Sequence, residues 1–299
     1  MRAPRRRFDM SAVIELLLGV PTVLSSLLII TLVGRAVTPE TPWLFPVVWL
    51  VSGVIVFLPA TGKLLAALVH GMRGPTGTER AALEPLLEEA CGAAGVDPGR
   101  YRLRIQNSRE INAMAVGGHV VGVSTAALQL PRKQLEAVLA HEIGHHLAGH
   151  TKISLLRWWF ELPARAVVWL VVVAGVGIYV AGDKIGTTGA RVVSFVLIVA
   201  LGVAAVLISP WVLLVPVIAP LLALASRRAE LHADRVAAEL GYRLVLLEVL
   251  QRWVKEGYDE QRAHAGFKAR MLASHPSCAL RISKLRGERR RPLSRSPGA

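Results

Sequence analysis

The sequence predicts a multi-pass α-helical membrane protein that carries a smaller α+β domain. Three observations predict it. Of the 299 residues 53% are hydrophobic, and they gather in long uncharged blocks that a soluble chain of this size would not carry. Outside the blocks, apolar residues recur at helical spacing, with two short apolar runs around a Gly-Gly pair. One helical run also holds two histidines four residues apart, His141-Glu142-Ile143-Gly144-His145.

The uncharged blocks are Leu16 to Gly34, Pro42 to Gly62, Ala166 to Gly182 and Val192 to Ser226. About 20 apolar residues cross the ~30 Å hydrocarbon core as a helix, so four transmembrane segments are expected. The last block is too long for one span. Pro210 should break it, leaving a span near Val192–Ile208 and a second helical stretch that leaves the membrane after Leu224. The first block follows Arg2, Arg5, Arg6 and Arg7, but its apolar run is long and no small-residue cleavage site follows. A retained span is therefore expected rather than a cleaved signal. Glu15, at its edge, reads as an interfacial carboxylate, with an intramembrane role as the alternative.

Lysine and arginine placement sets the orientation. The linkers Arg35–Thr41 and Asp183–Arg191 are short, whereas the N-terminus, the segment Lys63–Arg165 and the C-terminal part are basic. Both termini and the central segment are expected on the cytoplasmic side of a cell membrane. The net charge of +14 fits contact with anionic lipid headgroups. No nucleic-acid motif accompanies it, so nucleic acid is not expected as a partner. Cys91 and Cys278 lie far apart without ligand partners nearby, and read as reduced thiols.

The extramembrane elements follow in order. Thr76-Gly-Thr-Glu79 is a capping box that opens a helix through Ala94, with Leu83, Leu86 and Leu87 as its apolar face. Gly95–Gly99 is a turn. Tyr101, Leu103 and Ile105 alternate with Arg102 and Arg104 as in a strand. Asn112-Ala-Met-Ala-Val116 and His119-Val-Val-Gly-Val123 flank Gly117-Gly118 and predict a β-hairpin. Pro131 suits the first turn of the next helix, which runs to about His150. Ser226–Asp234 leads into a helix through Leu240, and Tyr242–Trp253 forms an amphipathic one. The tail from Arg286, rich in Arg, Pro and Ser, is expected to be disordered.

At 3.6 residues per turn His141 and His145 stand on one helical face, and both imidazoles can reach a single Zn²⁺. Glu142, beside the first ligand, can take a proton from water at the ion. A catalytic zinc wants a third protein ligand. The best candidate lies in Arg228-Ala-Glu230-Leu-His-Ala-Asp234, where Glu230 and Asp234 share a face. Glu230 can bind the metal, and Asp234 can accept a hydrogen bond from the far ring nitrogen of a ligand histidine. The plainer alternative is a charged helix face with ordinary ion pairs. Glu230 must also share a membrane side with the histidines, which requires an even number of crossings between them; two are expected.

These paired motifs resemble the HtpX-like family of membrane zinc endopeptidases, with the prenyl-protein CAAX endopeptidases as distant relatives. The resemblance runs from about Thr76 to Leu285. It includes the hairpin, where Asn112-Ala-Met-Ala-Val116 and Gly118-His-Val-Val resemble the family's substrate-side edge strand, and Ser274-His275-Pro276 with Arg281, which resemble its late His-Pro segment. It implies a zincin-like (gluzincin) α+β catalytic domain and one Zn²⁺ per chain. His141, His145 and Glu230 would be ligands, Glu142 the general base, and Asn112, Ala113, Met114 and Ala115 a substrate-binding edge. His275 is expected to stabilise the transition state, to occupy the open metal position in a resting form, or only to start a helix. Arg281 would stabilise an oxyanion or pair with a nearby carboxylate. His146 and His150 read as packing or supporting residues, and His232 departs from the family pattern.

The implied activity is zinc-dependent endopeptidase hydrolysis, acting on peptides or unfolded membrane proteins in quality control. A dedicated processing protease and a catalytically silent zinc scaffold are the alternatives. A transporter would need ionisable residues inside the spans, and the blocks have essentially none. The expected organisation is 1–75, a basic N-terminus and two spans; 76–160, the first catalytic half; 161–226, a membrane hairpin; 227–286, the second catalytic half; and 287–299, the tail.

Overall fold

The computed structural model describes residues 10–260 and 275–287. The N-terminal arginines Arg2, Arg5, Arg6 and Arg7, Ser274 and the tail beyond Gly287 lie outside the described residues. Ten helices and four strands are used below. They are α1 (Met10–Val37), α2 (Leu44–Ser52), α3 (Pro59–Leu68), β1 (Met72–Arg73), α4 (Gly77–Ala94), β2 (Arg102–Gln106), β3 (Ala113–Val116), β4 (Val120–Ser124), α5 (Arg132–Leu147), α6 (His150–Ile185), α7 (Thr188–Ile208), α8 (Val215–Ala237), α9 (Arg243–Lys255) and α10 (Cys278–Gly287).

The chain divides into two compact units; one is Leu16–Val54 with Leu156–Ala219, and the other holds the remaining described residues. The first unit is apolar and helical. Among the described residues three helices, α1, α6 and α7, are long and apolar enough to cross a membrane, or four if the bent pair of α2 and α3 is one span. Within this unit Trp49 stacks on Trp159 with ring centroids 5.1 Å apart, and the Trp159 indole N–H donates to Ser52 Oγ at 3.1 Å. Gly53 leaves room for the Phe160 ring, which a Cβ there would meet.

The second expected span differs from a straight helix. α2 tightens into a 3₁₀ turn over Gly53–Phe57, and α3 then departs at 87°. Pro59 has no N–H to continue the helical ladder, and Leu58 before it is extended (φ −71°, ψ 133°), as residues before proline prefer. Apolarity runs unbroken through the bend, so the block reads as one span from composition alone. At Ser209–Pro210 the expected break is present: α7 ends at Ile208 and α8 begins at Val215 after a short 3₁₀ turn.

The second unit is α+β. Its sheet has the order β1-β2-β4-β3, with β2 and β4 parallel and the other pairs antiparallel. β3 and β4 form the expected hairpin. Gly117 (φ 57°) and Gly118 (φ 77°) take the two left-handed positions of its turn, conformations that only glycine adopts freely. The Thr76–Glu79 capping box opens α4 as expected.

The core lies where α4, β2, β4, α5 and α9 meet, around Leu83, Ile105, Val121, Val123, Leu139, Ile143, Leu246 and Leu250. Pro131 precedes α5 as its cap rather than entering its first turn, and α5 stops at Leu147. Gly149 (φ 79°) separates it from α6. Glu15, expected at an interface, lies within α1 and is buried; Ser154 donates to its Oε2 at 3.0 Å.

Candidate metal centre

Two helices supply the centre. α5 carries His141 and His145 one turn apart, with ring centroids 4.9 Å apart and ring planes perpendicular. α8 carries Glu230 and, one turn on, Asp234. Gly144 lets the helices close. A Cβ there would stand 3.1 Å from both Cα and O of Ala233 and 3.3 Å from Cβ of Val236. Backbone therefore approaches side chain and backbone across the α5–α8 contact, and a larger residue would push them apart. The glycine inside the His-Glu pattern was the available sequence signal for this contact, and periodicity gave it no weight.

His141 Nε2 lies 3.5 Å from Glu230 Oε2, and His145 Nε2 lies 3.5 Å from Glu230 Oε1. One donor atom from each of the three residues falls within 4.8 Å of the others. Ligands held at about 2.1 Å around a tetrahedral ion stand roughly 3.4 Å apart. Two imidazole nitrogens and a carboxylate at this spacing fit zinc.

The supporting groups are ordered behind the donors. His141 turns Nδ1 toward Asp234 Oδ1 at 3.0 Å, an arrangement that fixes ring orientation and leaves Nε2 for an ion. Asp234 is gripped in turn by Arg281, whose Nε donates to Oδ2 at 2.8 Å and whose Nη2 donates to Oδ1. Of the two roles expected for Arg281, pairing with a nearby carboxylate is the geometry found; its Nη1 also lies 3.8 Å from Glu230 Oε2. His275 Nδ1 lies 3.0 Å from Glu230 Oε1. The chain His141–Asp234–Arg281 was half visible in the sequence: the role of Asp234 followed from helical spacing, whereas its clamp by Arg281 joins residues 47 apart.

The electrostatics follow from these contacts. Burial opposes ionisation of Glu230, but hydrogen bonds from His141, His145 and His275 outweigh it and hold its carboxyl well below the usual range. Burial likewise opposes ionisation of Asp234; the charge and hydrogen bonds of Arg281 overcome it and hold Asp234 at about 2. Burial would lower His141, yet hydrogen bonds to Asp234 and Glu230 raise it to about 10. A proton therefore competes with a cation for this site.

Glu142, between the two histidines on α5, is buried. β3 is one of the two edge strands of the sheet and packs against α5, so Ala113, Met114 and Ala115 lie on an edge strand beside the helix that bears the histidines. Asn112 precedes the strand and exchanges hydrogen bonds with Ser124: its N–H donates to the Oγ at 2.9 Å, and its carbonyl accepts from the backbone N–H at 2.9 Å. His146 Nε2 meets Val120 O at 3.0 Å, and burial lowers its pKa to about 3, so it stays neutral. His150 Nε2 meets Ser11 Oγ at 3.0 Å. His232 is half-buried on α8.

The model of Peptidase family M48 matches residues 78–289. Among curated proteins, the chain is similar to protease HtpX of Yersinia pestis (strain Pestoides F) and to protease HtpX of Yersinia pseudotuberculosis serotype O:1b (strain IP 31758). Each is 28% identical over 208 residues, covering 62% of this chain and 66% of the relative. The matched stretch thus spans slightly under two thirds of these relatives' length. The family match covers most of the chain, both donor helices and the edge strand: the chain belongs to peptidase family M48.

Proposed function

We propose that this protein is a zinc-dependent endopeptidase of the membrane, with one ion per chain held by His141, His145 and Glu230. The observation that carries the reading is the convergence of these three donors within 4.8 Å of one another, with Glu142 adjacent to the first. His141, His145 and Glu230 would hold a zinc ion, which when bound would supply polarisation of a scissile carbonyl and a water of pKa lowered toward about 7. Glu142 takes the water proton and passes it to the leaving amine. Asp234 holds the His141 ring, and Arg281 acts through Asp234 to keep it ionised and in place. His275, beside Glu230, is assigned stabilisation of the developing oxyanion.

Substrate chain in extended form adds to the edge of β3 at Asn112–Ala115. Main-chain pairing of this kind is tolerant of sequence, which suits a quality-control enzyme acting on unfolded or damaged membrane proteins. The Lys/Arg distribution supports a cytoplasmic active site and contact with anionic headgroups. The two candidate spans between His145 and Glu230, α6 and α7, support one membrane side for all three donors. The same candidate spans support organisation as two catalytic halves, 76–160 and 227–286, separated by a membrane hairpin.

Zinc content and casein cleavage of the detergent-purified protein test this reading. Wild type should hold near-stoichiometric zinc and cleave. Glu142→Gln should keep the zinc and lose cleavage, and Glu230→Ala should lose zinc. Cleavage by Glu142→Gln at the wild-type rate would remove Glu142 from the mechanism. Zinc without cleavage in wild type would favour the dedicated protease or the silent scaffold.

A further inference from the structure

α10 has little of its own to hold it in place. Of its ten residues Cys278, Arg281 and Leu285 are buried, and one of the three is a cation. A helix this short is marginal in water by itself. Its place nevertheless matters, because Arg281 reaches Asp234 and, through it, the His141 ring. The guanidinium fork tolerates little misplacement. Charge-assisted bonds hold at about 2.7–2.9 Å, and a slip of one residue along a helix is already about 1.5 Å.

α9 supplies the anchorage, and α10 packs against it. Gly257 (φ 82°) follows α9 in the left-handed region, and its N–H reaches Val254 O at 3.1 Å. The chain turns there, which brings the Tyr258 ring to Trp253, 5.9 Å between centroids. Asp259 comes next and meets the first turn of α10. Its Oδ1 accepts from the Cys278 N–H at 2.8 Å, and its Oδ2 from the Ala279 N–H at 2.9 Å. N–H groups at this position have no partner within their own helix. Ser277 already caps α10 locally, its Oγ accepting from the Leu280 N–H at 3.3 Å. Asp259 is a second cap, delivered from 19 residues away.

The other end of α10 is held as well. Arg243, the first residue of α9, donates from Nη1 to Leu285 O at 2.6 Å. α9 therefore grips α10 by both ends and antiparallel to itself. A carboxylate stands at the N-terminus of α10 and a guanidinium at its C-terminus, the signs that a helix dipole favours. Arg281 lies about one turn in from the Asp259 grip.

We propose that Asp259 is a positioning residue of the metal centre: by capping α10 it sets the place of Arg281 and, through Asp234, the orientation of the His141 ring. The proposal rests on the zinc-ligand reading above. Asp259 acts through α10 rather than on the ion.

The test is a double-mutant cycle on zinc affinity, measured on the full chain in detergent by competition with a chromophoric chelator. Asp259→Ala should weaken zinc about tenfold, the lower end for loss of a group that orients a ligand. In the Arg281→Ala background the same change should cost less than about twofold, because the effect travels through Arg281. Asp259→Asn, which keeps one acceptor oxygen, should fall between wild type and Asp259→Ala, and it carries the test where the alanine variant does not fold. A variant that had only lost stability would bind zinc like wild type at temperatures where it is folded. Wild-type affinity in folded Asp259→Ala would therefore overturn the proposal. An equal loss in both backgrounds would also overturn it, assigning the effect to His275, which precedes the same helix. A second arm needs no metal. Amide exchange over residues 281–285 of the zinc-free protein should quicken at least about tenfold in Asp259→Ala, as expected for lost hydrogen bonds to a charged group; unchanged exchange would sink the idea. A wild type that binds no zinc would sink the metal reading instead, and the exchange result would still decide whether Asp259 holds α10.

Discussion

Arg281 grips both carboxylate oxygens of Asp234, with Nε donating to Oδ2 at 2.8 Å and Nη2 to Oδ1. Both residues are buried, Asp234 at 2% exposure and Arg281 at 7%. The pair sits directly behind His141, so the last described helix of the chain governs a ring on α5. Removing one partner of a buried ion pair strands the other, at about 3–5 kcal/mol. Arg281→Ala should therefore lower the melting temperature and weaken zinc about 10- to 100-fold, the usual effect of losing a group that orients a ligand. Competition with a chromophoric chelator measures the second effect. Arg281→Lys, which keeps charge but not the planar fork, should fall between.

Gly144 makes a separate prediction. Gly144→Val would drive its side chain into Ala233 and Val236, where a Cβ alone already reaches 3.1 Å from backbone. Overpacking of this kind costs about 1–3 kcal/mol. It should also widen the α5–α8 spacing, so zinc affinity should drop although no donor has been changed. Unchanged zinc affinity in a folded Gly144→Val protein would show that the two helices close without this contact.

Zinc uptake should release protons. His141 is held up to about 10 by its carboxylate partners, so the metal-free site carries a proton at neutral pH that a cation must displace. Affinity should rise with pH up to that value. Calorimetric titrations in buffers of different ionisation enthalpy should report about one proton released per ion near pH 8, and Asp234→Asn should reduce the number.

A pH dependence of stability is expected away from the metal. Buried Glu136 accepts from the Tyr242 hydroxyl at 2.6 Å and from Lys133 Nζ at 2.9 Å. Burial opposes its charge, but these bonds outweigh burial and lower its pKa below 4.5. A carboxyl with a depressed folded-state pKa stabilises fully above its unfolded value and loses that contribution as pH falls through the folded one. Glu136→Gln should cost about 1.5–3 kcal/mol at pH 7. The gap between the two melting curves should close as pH falls below about 4.5. A gap of constant size down to pH 3 would mean that Glu136 acts by shape rather than by charge.

Much of this was open to reading along the chain. The capping box at Thr76–Glu79, the Gly117-Gly118 hairpin and the break at Ser209–Pro210 are local: each depends on the conformational limits of a few neighbouring residues. The spacing of His141 and His145 is equally local, since a helix repeats every 3.6 residues. The bend at Leu58–Pro59 was also encoded locally, but uniform apolarity around it hid the break from a reading based on blocks.

The sequence by itself determined which segments are apolar enough for a membrane, where the hairpin turns, and which side chains share a helical face. These properties arise from backbone sterics and from hydrophobicity summed over neighbours. Only the tertiary structure decided that Gly144 lies against Ala233, that Arg281 clamps Asp234, and that Gly62 meets Gly117. Each of these joins residues far apart in the chain, and each depends on shape: a missing Cβ that lets two backbones touch, or a guanidinium fork placed against one carboxylate. Periodicity carries no information about such meetings, because packing distance and direction exist only once the elements have assembled.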